Sequence, residues 1–404
     1  MRPELTSLLL VGAAAFAAPL AVGLVPWLRL PPVVLEIVLG IAIGPSVLDW
    51  AELDEPVRLL GLIGLAFLLL LAGLELDLHR LRGRLLRLSA GGFVLSFALA
   101  ISLAVVLDAV GLVESPLLIA IIASATSLGI VISVLEDAGE SMTTFGQTVL
   151  AGASIADVGT IILLSLFFSG HAGLGARLTL LAAFGVFVAA VGLTVAGAAR
   201  SMRVSDALVR LQDTTAQIRV RGAFLLLLGF VVLADRLGLE AILGAFVAGA
   251  VLKLADRDDA MTHTHFHEKL SEIGFGVFVP FFFVSSGMAF DARAVLGDPA
   301  TLALVPIFVA LLLVARALPA LLYRPSLGAR PAAAAGLLQA TSLGFIVVAT
   351  RIGMDLGLIA GGPATAFVAA GLVSVLVFPL AALTLLQQAD RPAAQEGPIP
   401  APLH

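Results

Sequence analysis

Asp157 stands near the middle of a long apolar run, in Ala151-Gly-Ala-Ser-Ile-Ala-Asp157-Val-Gly159, with no cation adjacent in sequence. An ionisable group at bilayer depth costs about 2.5–3.5 kcal/mol on insertion scales, so it needs a reason to be there. A carboxylate in that place can bind a proton or a small cation reversibly. The competing reading is a buried carboxyl that ties helices together by hydrogen bonds. The small residues around it, Ser154 among them, let neighbouring backbones approach closely.

Two further features bear on the same chemistry. The word Ala125-Thr126-Ser127-Leu128-Gly129 returns as Ala340-Thr341-Ser342-Leu343-Gly344, each time inside an apolar stretch. Glycine weakens a helix, and Thr and Ser hydroxyls can bond backbone carbonyls in place of the helical ladder. Each word therefore predicts a break whose carbonyls and dipole ends face an ion. Ordinary small-residue packing is the alternative. Thr126 and Ser127 are candidate ligands with Asp157, supported by Thr341, Ser342 and Ser154. Arg316 lies deep in another apolar run and cannot shed its charge. It acts as a counter-charge near the site or snorkels to an interface.

The elements that must hold these residues follow from composition. The 404 residues are 60% hydrophobic and 13% charged, with a mean hydropathy of +1.10, which excludes an ordinary soluble domain. There is no cysteine, so disulfides and thiolate metal sites are excluded. A spanning helix needs roughly 20 apolar residues. The apolar runs predict thirteen such helices, at about 6–27, 33–49, 57–76, 88–111, 116–135, 143–168, 176–199, 222–238, 240–255, 271–289, 297–323, 331–352 and 363–387. The first resembles a signal peptide at Ala14-Ala15-Phe16-Ala17-Ala18, but it runs on to Trp27 and reads as a spanning helix. The fold class expected is an all-α integral membrane protein with a short disordered tail over 388–404.

Two more matches keep the order of the repeated word. Glu36-Ile-Val-Leu-Gly40 answers Glu240-Ala-Ile-Leu-Gly244, and Ala72-Gly-Leu-Glu-Leu-Asp77 answers Ser286-Gly-Met-Ala-Phe-Asp291. They pair helix 2 with 9, 3 with 10 and 5 with 12. The offset of seven helices is odd, so paired helices run in opposite directions, as in the inverted repeats of secondary transporters. With the N-terminus outside, sixteen of the 23 Lys and Arg fall on the cytoplasmic side and six on the other, Arg316 being inside a helix. The positive-inside rule then sets the N-terminus out and the C-terminus in.

Glu36 and Glu240 recur in both copies and read as structural caps or as partners in interhelical hydrogen bonds. Glu75 has Ala289 at its repeat position and is a candidate counter-charge. His263, His265 and His267, between helices 9 and 10, suggest a pH or metal sensor. On a helix only His263 and His267 share a face, and a solvated polar loop is the preferred reading.

These residues resemble the cation:proton antiporter superfamily, in its branch of Kef-type and bacterial sodium/proton antiporters. The resemblance rests on Pro31-Pro-Val-Val-Leu-Glu36-Ile-Val-Leu-Gly40-Ile-Ala-Ile-Gly44-Pro45-Ser46, Leu69-Leu-Leu-Ala-Gly-Leu-Glu-Leu-Asp77, Ala123-Ser-Ala-Thr-Ser-Leu-Gly-Ile-Val-Ile132, Ala156-Asp157 and Phe281-Phe-Phe-Val-Ser-Ser-Gly287-Met288. It implies a homodimer in which panel helices (about 6–76 and 222–289) make the dimer contact. A linker helix at about 176–199 would join them to a core (about 88–168 and 297–387) with crossed, broken helices 5 and 12. It makes Asp157 the ion-carrying aspartate and Arg316 the basic position before the second broken helix. Many relatives place Asp, Asn or Gln before the carrier; this chain has Ala156, so no two-acid site is available there. A nucleotide-binding regulatory domain, frequent in Kef-type systems, is not expected in the short tail.

The function expected is exchange of Na+ or K+ for H+ across a bacterial inner membrane, with lipid as surroundings. No cofactor, resident metal, nucleic acid or enzymatic reaction is expected. Two alternatives stay open: a proton-uncoupled potassium efflux channel and a crossed-helix organic-anion symporter. An intramembrane aspartyl protease is disfavoured because no second midplane Asp is available.

Overall fold

Apolar runs interrupted by proline, glycine and charge fold into helices and nothing else over the described residues, which are 3–24, 32–75, 83–168, 174–199, 217–237, 239–255 and 263–390 of this computed structural model. The first four are α1 (Pro3–Leu24), α2 (Pro32–Ile43), α3 (Glu55–Glu75) and α4 (Gly83–Ala109). α5 (Pro116–Ser124) starts with proline at its first turn, where no N–H is needed, and α6 (Leu128–Asp137) follows after three non-helical residues. Next come α7 (Thr144–Phe168), α8 (Leu174–Ala199), α9 (Ile218–Arg236) and α10 (Ala241–Ala255).

α11 (His263–Ile273) continues through a π-turn at Gly274–Phe278 into α12 (Val279–Met288). A short α13 (Ala292–Gly297) leads to α14 (Pro299–Ala317), a 3-10 turn at Pro319–Tyr323 and α15 (Arg324–Leu327). The chain then forms α16 (Ala329–Ala340), α17 (Gly344–Asp355) and α18 (Gly361–Asp390). Among the described residues seven helices are long and apolar enough to cross a membrane, or eight if α16 and α17, bent by 40° at their break, count as one.

Several expectations change, among them the helix expected over 33–49, which ends at Ile43. The segment His263–His267 is the start of a helix and not a loop; the His267 ring nitrogen lies 3.4 Å from the Ser271 hydroxyl one turn on. The last helix runs to Asp390, beyond the expected end at 387, and the remainder of the tail lies outside the described residues.

The chain divides into two compact units. One comprises Met1–His79, Asp157–Val305 and Val347–Val368. Its helix pairs are set by glycine. A Cβ on Gly40 of α2 would run into the Val284 carbonyl and Gly287 of α12, and one on Gly73 of α3 into the Phe246 carbonyl and Gly249 of α10. Backbones thus touch directly, the kind of small-residue packing that serves membrane helices, where lipid leaves no hydrophobic drive for association. Val11, Ala14, Ile43, Val57, Val284 and Met288 fill a core around α1, α2 and α12. Glu36 is buried within α2. Glu240 lies at the start of α10, its backbone N–H 3.4 Å from the Ser165 hydroxyl.

The other unit comprises Arg80–Ala156, Pro306–Ile346 and Ala369–His404. Val131, Leu135, Val149, Tyr323, Leu338 and Ala382 form its apolar core.

The entry to α14 makes a test outside the apolar spans. Asp298 accepts the Thr301 hydroxyl (2.7 Å) and the N–H groups of Ala300 and Thr301 (both 3.1 Å). These bonds, the Thr301 hydroxyl first, hold its carboxyl below the usual value. A lowered pKa stabilises the fold above the unfolded-state value, and that stability fades as pH falls through the folded value. Asp298→Ala should lower Tm at neutral pH, and the gap to wild type should close below about pH 4. Thermal melts across that range check it.

Candidate functional site

The break Ala125–Ser127 and the break Thr341–Leu343 are bonded to each other. The Ser127 N–H donates to the Thr341 carbonyl (2.9 Å), and the Leu343 N–H, at the start of α17, donates to the Ser127 hydroxyl (2.8 Å). Ser127 thereby serves one of the N–H groups that a helix start leaves unpaired. Of the hydroxyls that disfavour a continuous helix at these words, that of Ser127 joins the two interruptions directly. Thr341 also turns its own hydroxyl back to the Leu337 carbonyl (3.2 Å).

Arg316 sits at the other end of this junction and is only 1% exposed, so it does not snorkel. Its Nε donates to the Gln339 carbonyl (3.2 Å), one Nη to the Thr126 hydroxyl (2.6 Å) and the other to the Ser96 hydroxyl (3.2 Å). Gln339 is in the last turn of α16, where carbonyls lack helical partners and the helix dipole is negative. A guanidinium placed there answers both the charge and the carbonyl.

Thr126 is fully buried, and it donates its own proton to the same Gln339 carbonyl (2.7 Å). Its donor and one acceptor lone pair are thus engaged inside the protein. Thr126 thus braces Arg316 and the end of α16.

The second break is closed differently. The Ser342 N–H donates to the Ser374 hydroxyl (3.1 Å), which lies 2.7 Å from the Gly371 carbonyl and 3.0 Å from that of Ser342. The Ser342 hydroxyl is buried and has no partner among the described residues. Thus Thr126, Ser127, Arg316, Thr341 and Ser342 come together in one unit, and Ser154 is buried on α7 in the same unit.

Asp157 opens the next stretch of the other unit; it is half-buried near the middle of α7, and its carbonyl lies 3.2 Å from the Thr160 hydroxyl. Glu75 closes α3, and its side chain lies outside the described residues, as do those of His263 and His265. Among the described residues no group of three metal-ligating side chains occurs.

Sequence reading missed Gln339, Ser96, Tyr323 and Ser374. Gln339 was marked by being an amide inside the apolar run before Ala340-Thr341, and Tyr323 by being the chain's single tyrosine.

A family model described as "Sodium/hydrogen exchanger, transmembrane" matches residues 12–388. The chain belongs to the sodium/hydrogen exchanger family. It is a multi-pass membrane protein. It is 28% identical over 404 aligned residues to YjbQ, a candidate Na+/H+ antiporter of Bacillus subtilis, covering 96% of this chain and 64% of that protein. It is 29% identical over 264 residues to the Na+/H+-K+ antiporter GerN of Bacillus cereus, covering 64% of this chain and 65% of GerN. The chain therefore spans just under two thirds of the length of these curated relatives. The sodium proton antiporter MjNhaP1 of Methanocaldococcus jannaschii at pH 8 has the same fold, with a TM-score of 0.69 at 18% identity over 96% of this chain and 100% of that one.

The latch at the end of α16 can be tested by stability. Thr126→Val keeps the shape and removes the hydroxyl that joins Arg316 to the Gln339 carbonyl. It should cost about 1–3 kcal/mol, because a buried donor loses its acceptor. Thr126→Ser should retain most of the stability, and melting of the detergent-purified protein measures both.

Proposed function

We propose that this chain is a secondary active transporter that exchanges Na+ or K+ for H+, with Asp157 carrying each in turn. The observation that carries the reading is family membership over residues 12–388 combined with one acid midway along α7, a helix long and apolar enough to span. Ionised, Asp157 holds a dehydrated cation; protonated, it holds none. Either state is neutral and can pass through low dielectric, whereas the empty carboxylate is held back by its desolvation cost. Exchange follows from that prohibition. A single carrier acid gives one cation for one proton.

The roles of the remaining residues follow. Arg316, Thr126, Ser127 and Thr341 hold the two breaks together and support the core site, where Ser342 is tied to Ser374; Ser154, on the helix of Asp157, helps to line the ion site. The hydrogen bonds between the breaks support the reading of helices 5 and 12 as crossed within two inverted copies of thirteen spans in all. So do the glycine contacts, which join helix 2 to 10 and helix 3 to 9, partners that the inverted repeat exchanges. The family resemblance extends this to a homodimer in a bacterial cytoplasmic membrane, N-terminus outside, with a core moving past a panel in an elevator-like step. GerN's name supports keeping both Na+ and K+ as substrates.

The test is cation-driven proton movement in proteoliposomes with Li+, Na+, K+ and Rb+, with and without an imposed voltage. Wild type should exchange, and Asp157→Asn should lower the rate at least about a hundredfold, as expected for losing the sole carrier. Cation flux without proton coupling would instead identify a channel, and flux dependent on an organic anion would identify a symporter. Robust pH-driven flux in Asp157→Asn would defeat the assignment.

A further inference from the structure

We infer that Gln339, held by Tyr323, is a positioning residue for exchange: it sets the register of α7 against the end of α16, and with it the placement of Asp157 further along α7. This rests on the antiport reading above. Gln339 is 3% exposed, and its amide donates to the Tyr323 hydroxyl (3.3 Å), which is itself on a side chain 1% exposed. Burying an amide is unfavourable unless it is bonded, so an apolar residue would serve simple packing better.

Three helices meet at this pair. The α7 backbone rests on the amide at Gly152: a Cβ there would overlap the Gln339 amide nitrogen and stand 3.0 Å from the Tyr323 hydroxyl. A Cβ on Gly92 of α4 would stand 3.4 Å from the same hydroxyl. The backbone of Gln339 does the complementary work, since its carbonyl receives Arg316 and Thr126. One residue thus links α7 through its side chain to the arginine latch through its main chain. A shift of the amide displaces both. Gly152 has no positive φ, so its need for glycine is one of room alone.

The experiment uses the full chain in proteoliposomes, with KM and maximal rate for Na+ and K+ measured alongside Tm. Gln339→Leu keeps the volume and removes the amide; it should raise the cation KM about tenfold with Tm within a few degrees of wild type. Tyr323→Phe, a milder change, should move KM in the same direction by less. Gly152→Ala should lower exchange about tenfold, and Gly152→Ala with Gln339→Ala should be no worse than Gln339→Ala alone, because contacting residues couple.

Unchanged KM in both Gln339→Leu and Tyr323→Phe, with only Tm affected, would overturn the inference. So would strict additivity in the Gly152/Gln339 pair. Wild type that exchanges while these variants behave like it sinks only this inference; wild type that couples no proton to any cation sinks the antiport reading itself.

Discussion

A guanidinium with 1% exposure is the constraint around which the second unit is arranged. Arginine cannot escape burial by deprotonation, so the protein must supply oxygen atoms in the plane of its fork. It does so with the Ser96 and Thr126 hydroxyls and the Gln339 carbonyl, taken from α4, from the first break and from the end of α16. The break in α16 is what makes that carbonyl available. A continuous helix would have turned it into its own ladder. Helix interruption and buried charge are therefore one arrangement: the charge fixes where the helix stops, and the stop provides the charge with its acceptor.

The repeated word does not give the two breaks equal roles. Ser127 reaches across and holds the start of α17, whereas Ser342 is bound through its backbone by Ser374. On the two-copy reading, the helix that answers α7 is α18. It offers a serine that satisfies its own break, while α7 offers Asp157. The second break is thus closed by internal hydrogen bonds, and α7 keeps an acid.

Much of this was legible beforehand because it is written in local chemistry. Hydropathy and punctuation located the helices, and Gly129 and Gly344 with their Thr-Ser partners located the breaks. The buried state of Arg316 was not legible, since depth along a helix does not say whether lipid or protein faces it. Its acceptors were harder still. A backbone carbonyl such as that of Gln339 has no sequence signature, and Ser96 lies 220 residues away from Arg316. The helical start at His263 was hidden by polarity: His, Glu and Lys suit a solvated loop and an exposed helix turn equally, and only continuity with the helix beyond decides. The roles of Gln339 and Tyr323 depend on three helices meeting, a property that no single segment carries.

The glycine contacts of the first unit have a mechanical meaning. Where Gly40 lies on Gly287 and Gly73 on Gly249, no side chain separates the helices. Backbone against backbone leaves no rotamer to yield and no soft layer to shear. A side chain in place of any of these glycines would drive into a neighbouring main chain. These helix pairs are therefore stiff contacts, and any movement within the unit must leave them intact.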